Sequence, residues 1–400
     1  MLAGQSRISP DDLYTAVRRR VLADVARLQD YTCVQTTTRI VYASDASKPA
    51  QRSCEEIIGD RNARKRSLAI FTRERLRLDV AIVDKHEVYS WPGAKQFEDD
   101  NIQNLIGYGH AVTGEFGPFL AAIFSENPRM YLGGEKRIGG RRLLEYLYYT
   151  PASLSQWEVQ AGSARLMTAY GGAVSLDPQT NDLAELTARS AELPGGTGYC
   201  EVIGEADYAR VRIGGRDALI PQEARSWAVG ADGLELYNAS SYAGCRAYAA
   251  QSTIRYGDEE PSRSSTSPAT TRRDAITTIP GGLSFDCRIV TPIDSRSSAT
   301  GDPVEAVLRS PLTGPGGAVL APAGARIHGR LVRFVEHVGE EYEVGVQLQS
   351  IETGGKSVPF AARLADGGGG PGDFGSFILP GARVQLNHLD SAWVTVAPQR

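Results

Sequence analysis

The stretch RLRLDVAIV, from Arg75 to Val83, alternates charged and apolar side chains and is the clearest strand signal in the sequence. Successive side chains of a strand point to opposite sides, so one face of this stretch is apolar. That face consists of Leu76, Leu78, Val80 and Ile82. A strand with one apolar and one charged face predicts an antiparallel sheet that is covered on one side and solvated on the other.

Turn signals separate further strand-like stretches downstream of this one. They are Gly139-Gly140, Gly171-Gly172, Asp177-Pro178, Gly214-Gly215 and Asp232-Gly233. Because little helical periodicity lies between them, the pattern predicts an antiparallel meander rather than alternating βαβ units. The predicted fold class of the first part of the chain is therefore mainly β (α+β), with a large curved antiparallel sheet or half-barrel and helices on its concave face.

Two helical segments are predicted to cover the apolar face of this sheet. Ser9 is a hydroxyl N-cap before Pro10, and apolar residues from Leu13 to Leu28 then recur at spacings of three and four. A second segment is too apolar to lie exposed and carries Phe116, Phe119, Leu120, Ile123 and Phe124. We expect helices over roughly residues 11–30 and 99–126, the second of which is a plug against the sheet.

Residues 257–278, GDEEPSRSSTSPATTRRDAITT, are polar and nearly free of large apolar side chains. Such a segment cannot bury enough apolar surface to offset the entropy that is lost on ordering, which predicts a disordered linker. The linker divides the chain into a first domain over residues 1–256 and a second domain over residues 279–400. Short strand signals without a long helical period predict that the second domain is a small all-β barrel or sandwich.

The charge balance argues against a nucleic-acid partner, and the hydropathy argues against a transmembrane segment. The 400 residues carry a formal net charge of -4, whereas nucleic-acid-binding proteins usually show a basic excess. No apolar run is long enough to span a bilayer. We therefore expect no nucleic-acid partner and no transmembrane segment. The opening residues, MLAGQSRISPDD, lack the basic flank and the apolar core of a signal peptide.

The cysteines indicate an oxidising compartment. They are Cys33, Cys54, Cys200, Cys245 and Cys287, and none forms a Cys-x-x-Cys pair. Metal sites usually need such pairs, so we expect no metal and no cofactor. The first four are disulfide candidates, which predicts an exported protein, periplasmic or at the cell surface, whose numbered start lies downstream of an export signal. We favour a 33–54 bridge across a hairpin, cross-pairings such as 33–245 stay open, and Cys287 is expected to be a buried free thiol.

The signals for catalysis are weak. Residues 354–357, GGKS, resemble the end of a phosphate-binding loop, but the required earlier glycine is Ser350 and a strand follows, which favours a hairpin turn. A glycan-processing enzyme would need two carboxylates opposed across a cleft. Carboxylates in predicted strands are Asp79, Glu87, Glu145 and Glu235. Nothing in their spacing places two of them together, so we predict no catalytic residue and no enzyme.

Several runs of residues carry a resemblance to a known group of proteins. In the first domain they are 75–81 (RLRLDVA), 90–94 (SWPGA), 97–99 (FED), 113–120 (TGEFGPFL), 208–214 (YARVRIG) and 241–246 (SYAGCR). In the second domain they are 291–295 (TPIDS), 301–304 (GDPV) and 322–325 (PAGA). With these runs the chain resembles uncharacterised exported two-domain proteins that are abundant in Acidobacteria. The resemblance implies export and a shared architecture, and it supplies no activity.

Each domain is also similar in layout to a known fold. The first resembles the periplasmic lipoprotein carriers and the related sigma-factor-regulator domain, which are half-open antiparallel barrels with a helix across the mouth. The carriers bind acyl chains or lipoproteins in the concavity. The second resembles the outer barrel domain of conjugation-channel proteins. Such likenesses concern the fold and say little about function.

These observations predict a non-enzymatic envelope binding protein that holds an acyl chain or a lipidated partner in its concave first domain. The expected ligand-binding residues are Leu76, Leu78, Val80, Ile82, Trp91, Phe116, Phe119, Leu120 and Phe124. Alternatively, the same residues form a dry core without a cavity. A second functional hypothesis is a structural or sensing scaffold of the cell envelope that binds another protein through domains on a tether. A glycan-processing enzyme is the third.

Overall fold

The computed structural model describes residues 9–27, 31–44, 47–48, 52–64, 68–83, 86–94, 97, 102, 105, 117–125, 129–161, 164–247, 278–366 and 374–397. The chain divides into two compact units, Met1–Tyr248 with Val335–Gly339 and Ala249–Phe334 with Glu340–Arg400. Almost all of the predicted linker, residues 257–278, lies outside the described residues, so the linker stays a prediction.

A large antiparallel sheet forms the first unit. Its strands are β1 (Tyr31–Tyr42), β2 (Ile70–Val83), β3 (His86–Ser90), β4 (Arg129–Ile138), β5 (Arg141–Thr150), β6 (Glu158–Ala161), β7 (Ala164–Met167), β8 (Ala169–Asp177), β9 (Asp182–Glu192), β10 (Tyr199–Ile213), β11 (Arg216–Gly230) and β12 (Glu235–Ala247). Their order in the sheet is β4-β5-β8-β9-β10-β11-β12-β1-β2-β3, with β6 and β7 paired separately. This arrangement confirms the predicted fold class, a mainly β architecture built on a curved antiparallel sheet.

The alternation in β2 has the consequence that its sequence predicts. Leu76, Leu78 and Val80 are buried, and Arg75 and Arg77 on the opposite face are half-buried. Further along that opposite face Asp79 and Ala81 are buried as well, so only the first part of the strand is partly solvated there. The apolar side chains lie on the concave face of the sheet, because burying them there removes apolar surface from water.

Among the described residues, the helices with defined bounds that accompany the sheet are α1 (Pro10–Val25), α2 (Cys54–Ala63) and α3 (Pro118–Ser125). Ile102 and Leu105, in the predicted 99–126 segment, are helical as well. The predicted cap of α1 is confirmed, since Ser9 Oγ accepts a hydrogen bond from the N–H of Asp12 at 3.2 Å. The helix ends at Val25, several residues earlier than the pattern predicts. Helices α1 and α3 pack on the concave face and share one apolar core with β2. Helix α2 lies where we expected only a hairpin loop.

One of the predicted turns is wrong. Gly171 and Gly172 lie inside β8 rather than between two strands. A Cβ atom on Gly172 would stand 1.9 Å from the carbonyl oxygen of Thr187 in β9, so glycine is required by the close approach of the two strands. The pairs Gly139-Gly140 and Gly214-Gly215 do form turns, and all four of these glycines have a positive φ.

The second unit is a smaller all-β structure. Its strands are β13 (Ser284–Ile289), β14 (Ile293–Asp294), β15 (Pro303–Leu308), β16 (Leu312–Thr313), β17 (Val319–Ala321), β18 (Arg326–His337), β19 (Glu341–Thr353), β20 (Lys356–Pro359), β21 (Ala361–Leu364), β22 (Gly375–Pro380), β23 (Gln385–Leu386) and β24 (Leu389–Val396). The main order is β21-β24-β13-β15-β18-β19-β22, and β21 and β22 lie beside each other. The sheet thus curls into a small barrel.

The interior of this barrel is apolar and includes the fully buried Trp393. Cys287 lies in the same core as a buried free thiol, which confirms the prediction for this residue. The GGKS run is a hairpin turn between β19 and β20, as predicted, with Thr353 paired to Lys356.

Candidate functional site

The predicted ligand-binding residues of β2 form the floor of a filled core. Leu76, Leu78 and Val80 are at most 2% exposed, and Ile82 is also buried. Apolar side chains of α1 belong to the same core. The described part of the concave face therefore shows a closed apolar interface between sheet and helices.

Helix α3 packs on this floor in the way expected of a plug. Leu120, Ile123 and Phe124 are at most 1% exposed. The ring of Phe119 lies 5.5 Å from that of Trp157 and 5.8 Å from that of Tyr170. Of the other predicted ligand-binding residues, Trp91 is half-buried against the same core, and Phe116 lies outside the described residues.

Polar contacts tie α1 to its neighbours at two points. The Nε of Arg18 donates a hydrogen bond to the carbonyl oxygen of Phe124 at 2.9 Å, which links α1 to the end of α3. The hydroxyl of Tyr146 in β5 donates to the carbonyl oxygen of Pro10 at 2.6 Å. Burial, helped by the negative charge of Asp11, raises the pKa of Tyr146 to about 12, so this hydroxyl keeps its proton.

Ion pairs anchor the other end of α1. The carboxylate of Asp24 is 2% exposed and lies 2.7 Å from Arg210 and 2.6 Å from Arg27. Arg210 also contacts Asp182 at 2.8 Å. Burial alone would lower the pKa of Arg210, but its two carboxylate partners outweigh that effect and the pKa is raised. The cation therefore stays charged and holds α1 against β9 and β10.

The concave face becomes polar further along β1. Thr37 and Ser240 share a hydrogen bond at 2.9 Å, and the amide of Gln35 donates to both hydroxyls. Arg39 and Glu74 form an ion pair at 3.0 Å, and both side chains are buried. The concave face thus has an apolar end under α1 and α3 and a polar end on β1, β2 and β12.

Two disulfides are present, and their pairing differs from the one we favoured. Cys33 is bonded to Cys245, and Cys54 is bonded to Cys200. The 33–54 bridge is wrong because β1 pairs with β12, the last strand of the unit, which brings Cys33 beside Cys245. Cys54 begins α2, which packs on β10, the strand that contains Cys200.

A small charged pocket of about 210 Å³ lies at the second half of α2. It is lined by Lys48, Arg52, Ile57, Asp60, Ala63, Arg64, Gly233 and Glu235. Asp60 contacts Lys48 at 3.0 Å and Arg52 at 3.1 Å, and Glu235 contacts Arg64 at 2.7 Å. The pKa of Asp60 is lowered, mainly because its carboxylate accepts a hydrogen bond from Lys48. This carboxylate therefore stays ionised.

The pocket is not predicted from the sequence because α2, which lines it, was expected to be a loop. A signal for the helix exists, since Ser53 and Glu56 have the spacing of a capping box. The structure contains both of its hydrogen bonds. The pocket residues themselves come from three stretches of sequence that no local pattern connects.

The strand carboxylates considered for glycan chemistry are engaged by neighbouring groups. Asp79 contacts Arg246 at 3.1 Å, and Glu145 contacts Lys136 at 3.5 Å. Glu87 accepts a hydrogen bond from the hydroxyl of Tyr89, and Glu235 belongs to the α2 pocket.

The described residues contain no cluster of His, Cys, Asp or Glu that could hold a metal ion. Within the same residues, no helix has the length and apolar character needed to cross a membrane.

Comparison with known proteins gives distant structural likenesses. No protein-family model and no curated protein matches the chain. A DUF1329 family protein from Desulfovibrio piger aligns at 11% identity over 60% of this chain and 94% of its own, with a TM-score of 0.29. A putative outer membrane lipoprotein-sorting protein domain from Vibrio parahaemolyticus aligns at 10% identity over 61% and 95%, with a TM-score of 0.28.

A LolA superfamily protein from Nitrosomonas europaea aligns at 10% identity over 58% of this chain and 94% of its own, with a TM-score of 0.25. At TM-scores this low the superpositions carry no argument about what this chain binds.

Proposed function

We propose that the chain is a non-enzymatic binding protein of the cell envelope that holds an acyl chain or a lipidated partner on the concave face of its first unit. The observation that supports this proposal most is the plug, α3. It covers the apolar end of that face with large apolar side chains, which an acyl chain could replace. In the proposed bound state, an acyl chain takes the place of these side chains.

The energetics of this exchange set the length of the ligand. Four large apolar side chains would leave the core, namely Phe119, Leu120, Ile123 and Phe124. Exposing each costs ~1.5–3 kcal/mol, so the total is about 6–12 kcal/mol. An acyl chain gains ~0.8 kcal/mol for each buried methylene, which means that about 8–15 methylenes balance the loss. Long chains are therefore favoured and short chains excluded.

The proposed location in the envelope is supported by the two disulfides. Such bonds form and persist in oxidising compartments and are rare in a reducing cytoplasm. The pairs Cys33–Cys245 and Cys54–Cys200 connect residues that are 212 and 146 positions apart, so each constrains most of the first unit.

A chain-length series tests the acyl proposal. The full, delipidated chain is titrated with fatty acids against a fluorescent fatty-acid probe. We expect saturable binding at about 16 carbons and none at about 8 carbons, because only the longer chain outweighs the displaced plug. Leu120→Ala should shift the threshold towards shorter chains, since it removes apolar contacts between the plug and the floor that the ligand would otherwise have to replace. The matched control is Leu147→Ala, an exposed residue of β5, which should not change the threshold. Absence of saturable binding at every length would refute the proposal.

A second candidate function, an envelope scaffold that binds another protein, is favoured by one specific observation. Among the described strands, β4 pairs only with β5, so its outer backbone edge is available. Tyr131 on this edge is 60% exposed, and its cross-strand neighbour Leu147 is exposed as well. An exposed apolar edge suits the addition of an extended segment from an envelope protein.

Photo-crosslinking in cells separates the two candidates. A crosslinker placed at Tyr131 should capture one protein at stoichiometric level if the scaffold hypothesis holds, and the same group placed at exposed Arg216 should not. Lipid that co-purifies with the chain, without a crosslinked protein, would instead support the acyl proposal.

A further inference from the structure

The pocket at α2 has the size of a site for a small ion. Its volume is about 210 Å³. Sites for drug-sized ligands usually measure roughly 300–1,000 Å³. A small anion with a few waters fits this space, whereas an acyl chain does not.

The lining of the pocket has more positive than negative charges. The cations are Lys48, Arg52 and Arg64, and the anions are Asp60 and Glu235. Arg61, which lies 3.6 Å from the same Glu235, is paired more closely with Glu201 at 3.1 Å and adds no free charge. The lining itself therefore carries three cations against two carboxylates, an excess of one positive charge.

One donor in the pocket has no acceptor. The side chain of Arg52 is 11% exposed, and its Nη1 donates to Asp60 at 3.1 Å. Its buried Nε–H has no hydrogen-bond partner among the described residues. A buried donor without an acceptor is costly. Because this nitrogen is itself buried, an anion in the pocket satisfies it only if the guanidinium turns towards the cavity, and the unpaired donor favours that turn.

The pocket is held in shape before any ligand arrives. The Cys54–Cys200 disulfide fixes the start of α2, and the capping box of Ser53 and Glu56 orders its first turn. Opposite the helix, Gly233 has a positive φ of 80°, and a Cβ atom there would stand 2.7 Å from Nη2 of Arg52. Glycine at this turn therefore leaves the room that the guanidinium occupies.

We propose that this pocket binds a phosphate group, held by Lys48, Arg52 and Arg64. Guanidinium groups bind the oxygens of a phosphate through paired N–H donors, and a lysine adds a point charge. The phosphate comes either from free phosphate in solution or from the headgroup of an anionic lipid. The inference is independent of the acyl site and survives if that proposal fails.

The first experiment titrates the full chain with inorganic phosphate in a calorimeter, using a chloride-balanced buffer. We expect saturable binding that Arg52→Gln weakens by at least about tenfold, the loss typical of one charge-assisted hydrogen bond. Asp60→Asn should tighten binding, because Asp60 competes with the ligand for Lys48 and Arg52. The matched control is Arg216→Gln, at an exposed arginine in β11, which should leave the affinity unchanged.

Opposite changes in phosphate affinity in Arg52→Gln and Asp60→Asn distinguish a binding site from a structural ion network. In a purely structural network, Arg52→Gln and Asp60→Asn both destabilise the fold and neither affects phosphate. Absence of saturable binding, or equal weakening by both variants, would overturn the proposal. If Arg52→Gln does not fold, Lys48→Gln gives the same readout, because this side chain is exposed and its loss leaves no buried group unpaired.

A second experiment identifies the source of the phosphate. Flotation with vesicles of phosphatidylglycerol is compared with vesicles of phosphatidylcholine. Binding only to the anionic vesicles, lost in Arg52→Gln and displaced by free phosphate, would assign a lipid headgroup. Calorimetric binding of phosphate without flotation would assign the free ion. If neither readout depends on Arg52, the pocket is not a phosphate site.

Discussion

In the first unit, α1 and α3 close the surface on which they pack, whereas α2 leaves a pocket open. Helices α1 and α3 lie on an apolar floor and fill it, because closing that interface removes apolar surface from water. Helix α2 meets arginine and glutamate side chains, and an open pocket remains there. Charged groups resist complete desolvation, so ion pairs at a helix contact keep a space open that apolar side chains would close. A ligand must displace protein side chains at the first place, whereas the second already offers a cavity.

Removing either disulfide should give the largest loss of stability, and only one of the two removals should also affect the α2 pocket. We expect Cys54→Ser with Cys200→Ser, and Cys33→Ser with Cys245→Ser, each to cost ~2–5 kcal/mol in unfolding free energy. Only the first pair should also reduce phosphate binding, since it releases α2. Urea denaturation and phosphate calorimetry measure the two effects. Equal phosphate affinity in both double variants would mean that the pocket does not depend on the anchoring of α2.

Breaking the ion pair that anchors α1 should have the next largest effect. Asp24→Ala leaves Arg210 partly buried without one of its two carboxylates. Removing one partner of a buried pair costs ~3–5 kcal/mol, and we expect about 3 kcal/mol because Arg210 keeps Asp182. The control, Asp12→Ala, lies exposed in the first turn of the same helix and should cost ~0.3–1 kcal/mol. Equal costs in urea denaturation would show that the buried pair does not hold α1.

A methyl group between β8 and β9 tests how closely these two strands approach. Gly172→Ala would place a Cβ atom against the backbone of β9, and overpacking of this kind costs at least ~1–3 kcal/mol because backbone atoms must shift. The matched control is Gly204→Ala in β10, where a Cβ atom meets nothing within 4 Å. This control should be neutral or stabilising by up to ~1 kcal/mol, because alanine restricts the unfolded chain. Thermal denaturation of both variants measures the difference, and similar midpoints would contradict the close approach.

The smallest expected effect on stability concerns Cys287 in the second unit. The apolar core of this barrel is as fully buried as the apolar floor of the first unit. Burial raises the pKa of Cys287 from 9.0 to about 12. A folded-state pKa above the unfolded one means that the stabilisation is complete below pH 9 and is lost as the pH rises towards 12. We expect a loss of about 1 kcal/mol between pH 9 and pH 10 that is absent in Cys287→Ala.

Thiol labelling supplies the control for this prediction. Native protein at pH 8 should not react with iodoacetamide, and the unfolded, unreduced chain should expose one thiol, since the other four cysteines are bonded. Rapid labelling of the native protein would contradict the burial of Cys287.

Local patterns explain why parts of the fold could be predicted from the sequence. The alternation at Arg75–Val83 predicts β2 and its buried face, because burial of a strand follows a period of two that any sheet preserves. Ser9 and Pro10 predict the start of α1, because a cap needs only neighbouring residues. The plug residues Phe119, Leu120 and Phe124 are apolar enough to require cover wherever the chain places them.

The disulfide pairing and the pocket could not be predicted in the same way. Cys33 meets Cys245 only because β1 inserts between β12 and β2, and no local feature of β1 encodes that neighbour. The pocket joins Arg52, Arg64 and Glu235 from separate elements, so its charge excess exists only after folding. Whether the concave face is open or filled depends on the volumes of side chains from two helices and the sheet, which periodicity does not measure.

The position of β1 between β12 and β2 determines when this unit can be completed during biosynthesis. The strand emerges from the ribosome early, but its partner β12 emerges last, so Cys33 must wait for Cys245 while Cys54 is already within reach. Contacts this distant along the chain form slowly. An oxidising compartment would therefore first produce a misbonded 33–54 chain, which thiol–disulfide exchange must then rearrange. Quenching of oxidative refolding at early times, followed by peptide mapping, should detect that bond before either native one.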